Sequence, residues 1–175
     1  MPDIVQAGRA LVEEVGLDGL TMQAVAVAVG VRAPSLYKHV PSRGDLIRLI
    51  AEAVLKDLGA HLEAALDGDP VKDLSAVARA FRDFAHHNPE AYRTVFAQLP
   101  EGWAPDQAAF LGASRAVLQT AESLVGEEHA LDAARLVTAW AHGFLTMELS
   151  GAFRIDGDID QAFEFGLDRL TRSLT

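Results

Sequence analysis

The chain of 175 residues contains no cysteine, which excludes disulfides, thiolate zinc sites and thiol nucleophiles together. Aromatic residues make up only 7% of the chain. Positive charge is scarce too: 15 Lys and Arg stand against 25 Asp and Glu, a formal net charge of −10. That balance excludes a nonspecific coat for nucleic acid, because affinity for phosphate comes from local positive charge. Long hydrophobic runs are also missing. The longest, from Ala133 to Met147, is broken by Arg135 and His142 and is too short to span a bilayer. No basic region followed by an apolar core opens the sequence, so no signal peptide is expected. The expected location is cytoplasmic, with no membrane partner.

Apolar residues, by contrast, make up 50% of the chain, which excludes disorder and allows one core or two small ones. They recur at helical spacing in Ile4, Ala7, Leu11 and Val15, ended by Gly16 and a Leu17-Asp18-Gly19 turn. Shorter helices are expected over 21–29, stopped by Gly30, and over 33–39, with Pro34 in the first turn. Ser42-x-x-Asp45 is an acidic capping pattern that opens a long helix to about Leu66. Asp69-Pro70 and Asn88-Pro89 each pair an N-cap residue with proline and mark helix starts near 70 and 89. A loop over 99–105 precedes helices over 106–125 and 128–151. Asp158-x-x-Gln161 opens the last helix, with an apolar stripe of Ile159, Ala162, Phe163, Gly166, Leu167, Leu170 and Leu174. No alternating segment bounded by hairpin turns occurs. The expected fold is all-α with about nine helices, divided into residues 1–50 and 51–175 inside the helix that starts at 43.

Residues 21–40 hold two short helices separated by Val29-Gly30-Val31-Arg32. Gly30 supplies the positive φ of a tight turn, and Val25, Ala26, Val31 and Leu36 are the expected contacts between the helices. This is helix-turn-helix grammar, in which the second helix enters the major groove and the first crosses the phosphate backbone. The charge distribution agrees. Residues 21–50 carry Arg32, Lys38, Arg43 and Arg48 against Asp45 alone, a net of +3 that leaves −13 elsewhere. Exposed Ser and Tyr hydroxyls suit phosphate oxygens, and Lys suits guanine edges or phosphate. An ordinary helical corner with a solvated face would share the periodicity but not this selection of residues.

Leu20-Thr21, Val25-Ala26, Gly30-Val31, Pro34-Ser35-Leu36-Tyr37-Lys38-His39-Val40 and Leu46 together resemble the N-terminal domain of TetR-family transcriptional regulators. The match covers roughly residues 3–50, and Leu36-Tyr37-x-His39 is its most diagnostic part. The resemblance implies a three-helix DNA-binding domain joined by a long fourth helix to a helical domain for effector binding and dimerisation. It implies that Thr21 contacts phosphate and that Gln23 stands within reach of a base. Ala33, Pro34, Ser35, Tyr37, Lys38 and His39 would form the recognition surface, and Arg43 would take the place of a phosphate-binding lysine. Val40 stands where many members have an aromatic residue, a mild packing change.

Residues 51–175 have no phosphate-cradling glycine loop and no nucleophile elbow. Phe81, Phe84, Tyr92, Phe96, Trp103, Phe110, Trp140 and Met147 are the candidate lining of an effector pocket. Any one of them is more often a core filler than a pocket wall. Trp140-Ala141-His142-Gly143 resembles the Trp-His-Gly signature of a subset of TetR-like C-terminal domains. Phe144 and Phe165, the latter off the main stripe of its helix, are the candidate dimer contacts.

No metal and no cofactor are expected. His86-His87 diverge on a helix, His61, His129 and His142 lack a histidine partner at i,i+4, and His142 and Glu148 lie on different faces. The chain is therefore read as no enzyme, but a homodimeric repressor of operator DNA released by a small-molecule effector. The rival readings are a small helical enzyme or a helical ligand carrier, neither of which would bind an operator.

Overall fold

The computed structural model describes residues 2–175. Among the described residues there are nine α-helices and no strands: α1 (Pro2–Gly19), α2 (Met22–Ala28), α3 (Ala33–Leu36), α4 (Arg43–Glu63), α5 (Pro70–His87), α6 (Pro89–Phe96), α7 (Gln107–Val125), α8 (Glu127–Leu149) and α9 (Ile159–Ser173). The all-α expectation holds. The chain forms two compact units, and the division is not a single cut. The chain up to Asp57 joins with Asn88–Gly112 in one, while Leu58–His87 and Ala113–Thr175 make the other.

In the first unit, Val12, Leu20, Val25, Leu36, Val40, Leu46, Ile47 and Ile50 are almost wholly buried and tie α1 to α4 around one core. Helices α1 and α4 approach closely at Gly8, where a Cβ would lie 2.8 Å from Ile50 Cδ1. The periodic stretch was expected to stop at Gly16. The backbone does break there (φ 71°, ψ 172°), and the turn over Leu17-Asp18-Gly19 follows as one further helical turn. The start of α6 is tied to α1. The Glu13 carboxylate accepts the Glu90 and Ala91 N–H groups at 3.2 and 2.8 Å, stabilised at the positive end of the helix. Asn88, expected to cap this helix, makes no side-chain cap bond; its Oδ1 instead accepts Arg9 Nη2 at 3.0 Å.

Capping elsewhere follows the local sequence. Ser42 Oγ accepts the Asp45 N–H at 3.1 Å and donates to its carboxylate at 2.7 Å, which lowers the Asp45 carboxyl below its usual range. Asp69 Oδ1 accepts Val71 N–H at 3.2 Å, and Asp158 Oδ1 accepts Gln161 N–H at 3.0 Å. Helix α4 ends at Glu63 rather than near Leu66, because the last turns tighten to i→i+3 bonds such as Ala65 N to Leu62 O at 3.2 Å. The buried Asp73 carboxylate then takes the Asp67 and Gly68 N–H groups at 2.7 and 3.2 Å.

In the second unit α5 packs on α8 and α9, and it buries Leu74, Val77, Ala78, Phe81, Phe84 and Ala85, a helical stripe. Phe163 is fully buried, and Trp140 stacks on it with ring centroids 5.1 Å apart. Gly166 is required there, since a Cβ would lie 2.6 Å from Trp140 Cζ2. The expected α9 stripe is buried at Phe163 and Leu167, while Ile159 and Ala162 stay exposed. Arg82 crosses from α5 to both neighbours. Its Nε donates to Glu148 at 3.0 Å, its Nη2 to Asp160 at 2.6 Å, and its guanidinium lies 4.7 Å from the Phe163 ring centre. Burial pushes the Glu148 carboxyl up, but the hydrogen bonds and charges of Arg82 and His86 outweigh it and hold the group below its ordinary value.

Candidate nucleic-acid interface

Thr21 opens α2 in extended conformation, and its Oγ1 accepts the Ala24 N–H at 3.1 Å. A hydroxyl has two acceptor lone pairs and one donor, so this cap leaves the O–H able to donate to a phosphate oxygen. At the other end Gly30 has φ 71°. Gly30 N–H reaches Val27 O at 3.1 Å and Val31 N–H reaches Ala26 O at 2.9 Å, the paired closure that needs a left-handed residue. The chain enters α3 within three residues. Met22, Val25 and Ala26 of α2 are buried, as are Leu36 and Val40 that follow the turn. Val31, expected in this contact, is 41% exposed; its backbone closes the turn while Leu36 and Val40 fill the core.

Helix α3 itself is one turn long, but bonds from Tyr37 N to Ala33 O (3.2 Å), His39 N to Leu36 O (2.9 Å) and Val40 N to Leu36 O (3.0 Å) extend its path to residue 40. With Leu36 turned inward, Pro34, Ser35, Tyr37, Lys38 and His39 are exposed, Ala33 is half-buried, and Gln23 is exposed on α2. Tyr37 keeps 48% of its surface. Arg32 stands at the N-cap position of α3 and is exposed. Among the described residues neither Arg32 nor Lys38 has an ion-pair partner, whereas Arg48 is held by Glu52 at 3.1 Å and Asp45 at 3.5 Å. The positive charge presented outward is therefore concentrated at the α2–α3 corner. In the sequence Arg32 counts toward the positive charge of residues 21–50 but not toward the expected contact surface; its position immediately before the Ala-Pro start of α3 is the signal for it.

Arg43 is turned inward. Its Nε donates to Leu20 O at 2.7 Å and its Nη2 to Leu17 O at 2.6 Å, holding the last turn of α1 and the residue before Thr21. Its guanidinium also lies 5.6 Å from the centre of the Trp103 ring.

The remaining candidates divide between the two units. Tyr92, Phe96, Trp103 and Phe110 belong to the first, with Tyr92 and Phe96 in contact at 5.0 Å. Phe81, Phe84, Trp140 and Met147 belong to the second, where the first two are buried and Met147 is 45% exposed. Phe144 packs into its own chain, 5.3 Å from Phe163 and 4.9 Å from Phe153. Phe165 is 62% exposed, with the Arg169 guanidinium 5.1 Å from its ring centre. Gly143 is exposed with open space around it. Burial holds His142 below the usual imidazole range, favouring the neutral ring. His86 Nε2 lies 3.2 Å from Glu148, and His61 and His87 each lie 3.2 Å from Asp83. Among the described residues no group of three or more such side chains is arranged to hold a metal ion, and no helix is long and apolar enough to cross a membrane.

A capped helix, a glycine turn and a short second helix with a polar outer face define a helix-turn-helix DNA-reading module on a helical protein, the class of helix-turn-helix transcriptional regulators. Comparison with known proteins agrees. Residues 4–50 match the model of bacterial regulatory proteins of the tetR family, and residues 74–170 match the tetracyclin repressor-like C-terminal domain. The chain belongs to the TetR family of ligand-responsive transcriptional regulators. An uncharacterized HTH-type transcriptional regulator of Mycobacterium tuberculosis is 34% identical over 91% of this chain and 74% of its own length. The fold is also that of a Rhodococcus protein of unknown function, with TM-score 0.82, 20% identity and coverage of 98% and 93% of the two chains. A variant of TetR from Acinetobacter baumannii, solved with minocycline, gives TM-score 0.71 at 26% identity over 97% of this chain and 93% of its own.

Proposed function

We propose that this chain is a repressor that binds operator DNA as a homodimer and is released by a small-molecule effector. The observation that carries the reading is the exposed, cation-bearing outer face of α3 on a corner whose inner face is buried. Lys38 and His39 are assigned to base edges, with Pro34, Ala33 and the Tyr37 ring against apolar base surfaces. Thr21, Ser35 and the Tyr37 hydroxyl are assigned to phosphates, joined by Arg32. Gln23 suits the N6 and N7 atoms of adenine. Arg43 serves this surface by fixing Leu17 and Leu20 rather than by reaching outward.

Two recognition helices of a dimer address half-sites about 34–36 Å apart. We assign self-association to the α8–α9 surface that carries Phe165 and Gly143. An effector held among the aromatic residues of the helical domain would favour a conformation unable to reach both grooves. Such couplings are typically ~1–3 kcal/mol, about five- to 150-fold in occupancy. An apolar or amphipathic organic molecule suits a lining of Phe and Trp side chains, and the minocycline complex of the Acinetobacter relative is consistent with one. The reading needs no enzymatic step and places the protein in the cytoplasm with its DNA.

The test is a gel shift with the duplex upstream of the chain's own gene, against a scrambled duplex, across salt concentrations. The reading expects preference for the upstream duplex that is lost in Lys38→Ala with the fold intact. Equal affinity for the two duplexes would refute it.

A further inference from the structure

We propose that Trp103, on the loop between α6 and α7, is a positioning residue for DNA reading: its indole fixes the first turn of α4 and, through Arg43, the junction from which α2 begins. The proposal rests on the reading above, that the α2–α3 corner contacts DNA.

The contact with α4 is made by backbone rather than by a replaceable side chain. Gly44 is buried, and a Cβ added to it would lie 2.3 Å from Trp103 Nε1, 2.5 Å from Cδ1 and 2.7 Å from Cε2. Three atoms of one ring within that distance mean that the indole lies against the helix itself. Glycine has a lower helix propensity than alanine, so its place in the first turn of a 21-residue helix is explained by this approach. The same indole lies 5.6 Å from the Arg43 guanidinium, which donates to Leu20 O and Leu17 O at 2.7 and 2.6 Å. Leu20 precedes Thr21, whose hydroxyl caps α2. One unbroken series of contacts thus leads from the indole to the first turn of the helix-turn-helix.

The indole is held from its own side as well. Trp103 N–H bonds to Pro100 O at 3.0 Å, closing the turn that carries the ring. The preceding helix α6 is tied to α1 by Glu13 and by the Arg9–Asn88 bond. Trp103 is half-buried and borders a cavity of about 440 Å³ with Leu17, Arg43, Arg93 and Leu99. The ring therefore stands between the turn that follows α6 and the base of the reading corner, and it acts on DNA through Arg43 and Gly44.

The experiment measures binding of the full-length wild type, Trp103→Ala, Gly44→Ala/Trp103→Ala and Trp103→Phe to the upstream duplex, with melting temperatures in parallel. Trp103→Ala is expected to weaken binding about tenfold while leaving the salt slope unchanged, because no phosphate contact is lost. In the double variant the vacated space admits the new methyl group. Its higher helix propensity is expected to raise the melting temperature above that of Trp103→Ala, yet the tenfold loss is expected to persist. Trp103→Phe, which keeps a ring over Gly44 and Arg43, is expected to bind within about threefold of the wild type. A merely structural role would make affinity follow stability. A double variant that recovers wild-type affinity with its stability, or a Trp103→Ala variant that binds like the wild type, would therefore overturn the proposal alone. A wild type without preference for the upstream duplex would overturn the underlying reading, and the proposal with it.

Discussion

Replacing Arg43 by alanine separates a structural pin from a phosphate clamp. In the structure the guanidinium donates to two backbone carbonyls at 2.7 and 2.6 Å, and both are charge-assisted bonds. Hydrogen bonds of that kind contribute about 1.5–3 kcal/mol each. The site is only half-buried, so water replaces part of the loss, and Leu17 O keeps the Leu20 N–H at 3.3 Å. A destabilisation of about 2–3 kcal/mol follows. For a chain of this size that corresponds to a fall of roughly 5–10 °C in melting temperature. The assay pairs thermal unfolding followed by circular dichroism with DNA binding across salt concentrations. A pin lowers the melting temperature and leaves the slope of log affinity against log salt unchanged. A clamp would leave the melting temperature unchanged and flatten the slope by about 2 for a dimer, one phosphate per head. The second pattern would show that Arg43 binds phosphate and does not pin the α1–α2 junction.

The charged bridge across α5, α8 and α9 yields a pH dependence with a definite sign. The folded-state carboxyl of Glu148 lies below the ordinary value of 4.5. Its contribution to stability is therefore complete above that value and is lost as pH falls through the lowered folded value. Acid melts of Glu148→Gln are expected to show a weaker dependence in that acid range than the wild type. Arg82→Leu leaves a carboxylate whose side chain is only 9% exposed without its main partner, and should cost about 2–4 kcal/mol in denaturant titrations. Gly166→Ala forces a methyl group to within 2.6 Å of Trp140, for an expected loss of about 1–3 kcal/mol in the same assay. Phe165→Asp places a charge on the exposed α9 surface and is expected to shift sedimentation toward monomer without lowering the melting temperature of the monomer. An unchanged sedimentation profile would remove that surface from the dimer assignment.

What the sequence made readable was local. The Ser42–Asp45 box, the Asp69 and Asp158 caps and the Gly30 turn each depend on residues within five positions, and each forms as its pattern implies. The inward Leu36 and the outward Tyr37, Lys38 and His39 follow from the same short-range geometry. Long-range competition was not readable. Asn88 loses its capping role because Glu13, 77 residues before Glu90, supplies the acceptors and Arg9 takes the Asn88 oxygen. Arg43 looks outward in sequence, but Leu17, Leu20 and Trp103 bring it inward. The net charge of +3 over residues 21–50 likewise overstates the cationic face, since Arg48 is neutralised within α4 by Glu52 and Asp45. Gly44, an unexplained glycine in a helix start, was the one local trace of the Trp103 contact.

The central claim is that a small exposed face on an acidic protein reads a particular DNA sequence. Its most direct measurement is the affinity of the wild type and of Lys38→Ala for the upstream and scrambled duplexes as salt is varied. With Arg32 of each protomer assigned to phosphate and Lys38 to a base edge, a dimer releases counterions from about two phosphates. A log–log slope near −2 for the wild type, a clear preference for the upstream duplex, and loss of that preference in Lys38→Ala are the expected results. Equal affinity for the two duplexes, or a Lys38→Ala variant that keeps the wild-type preference, would contradict it.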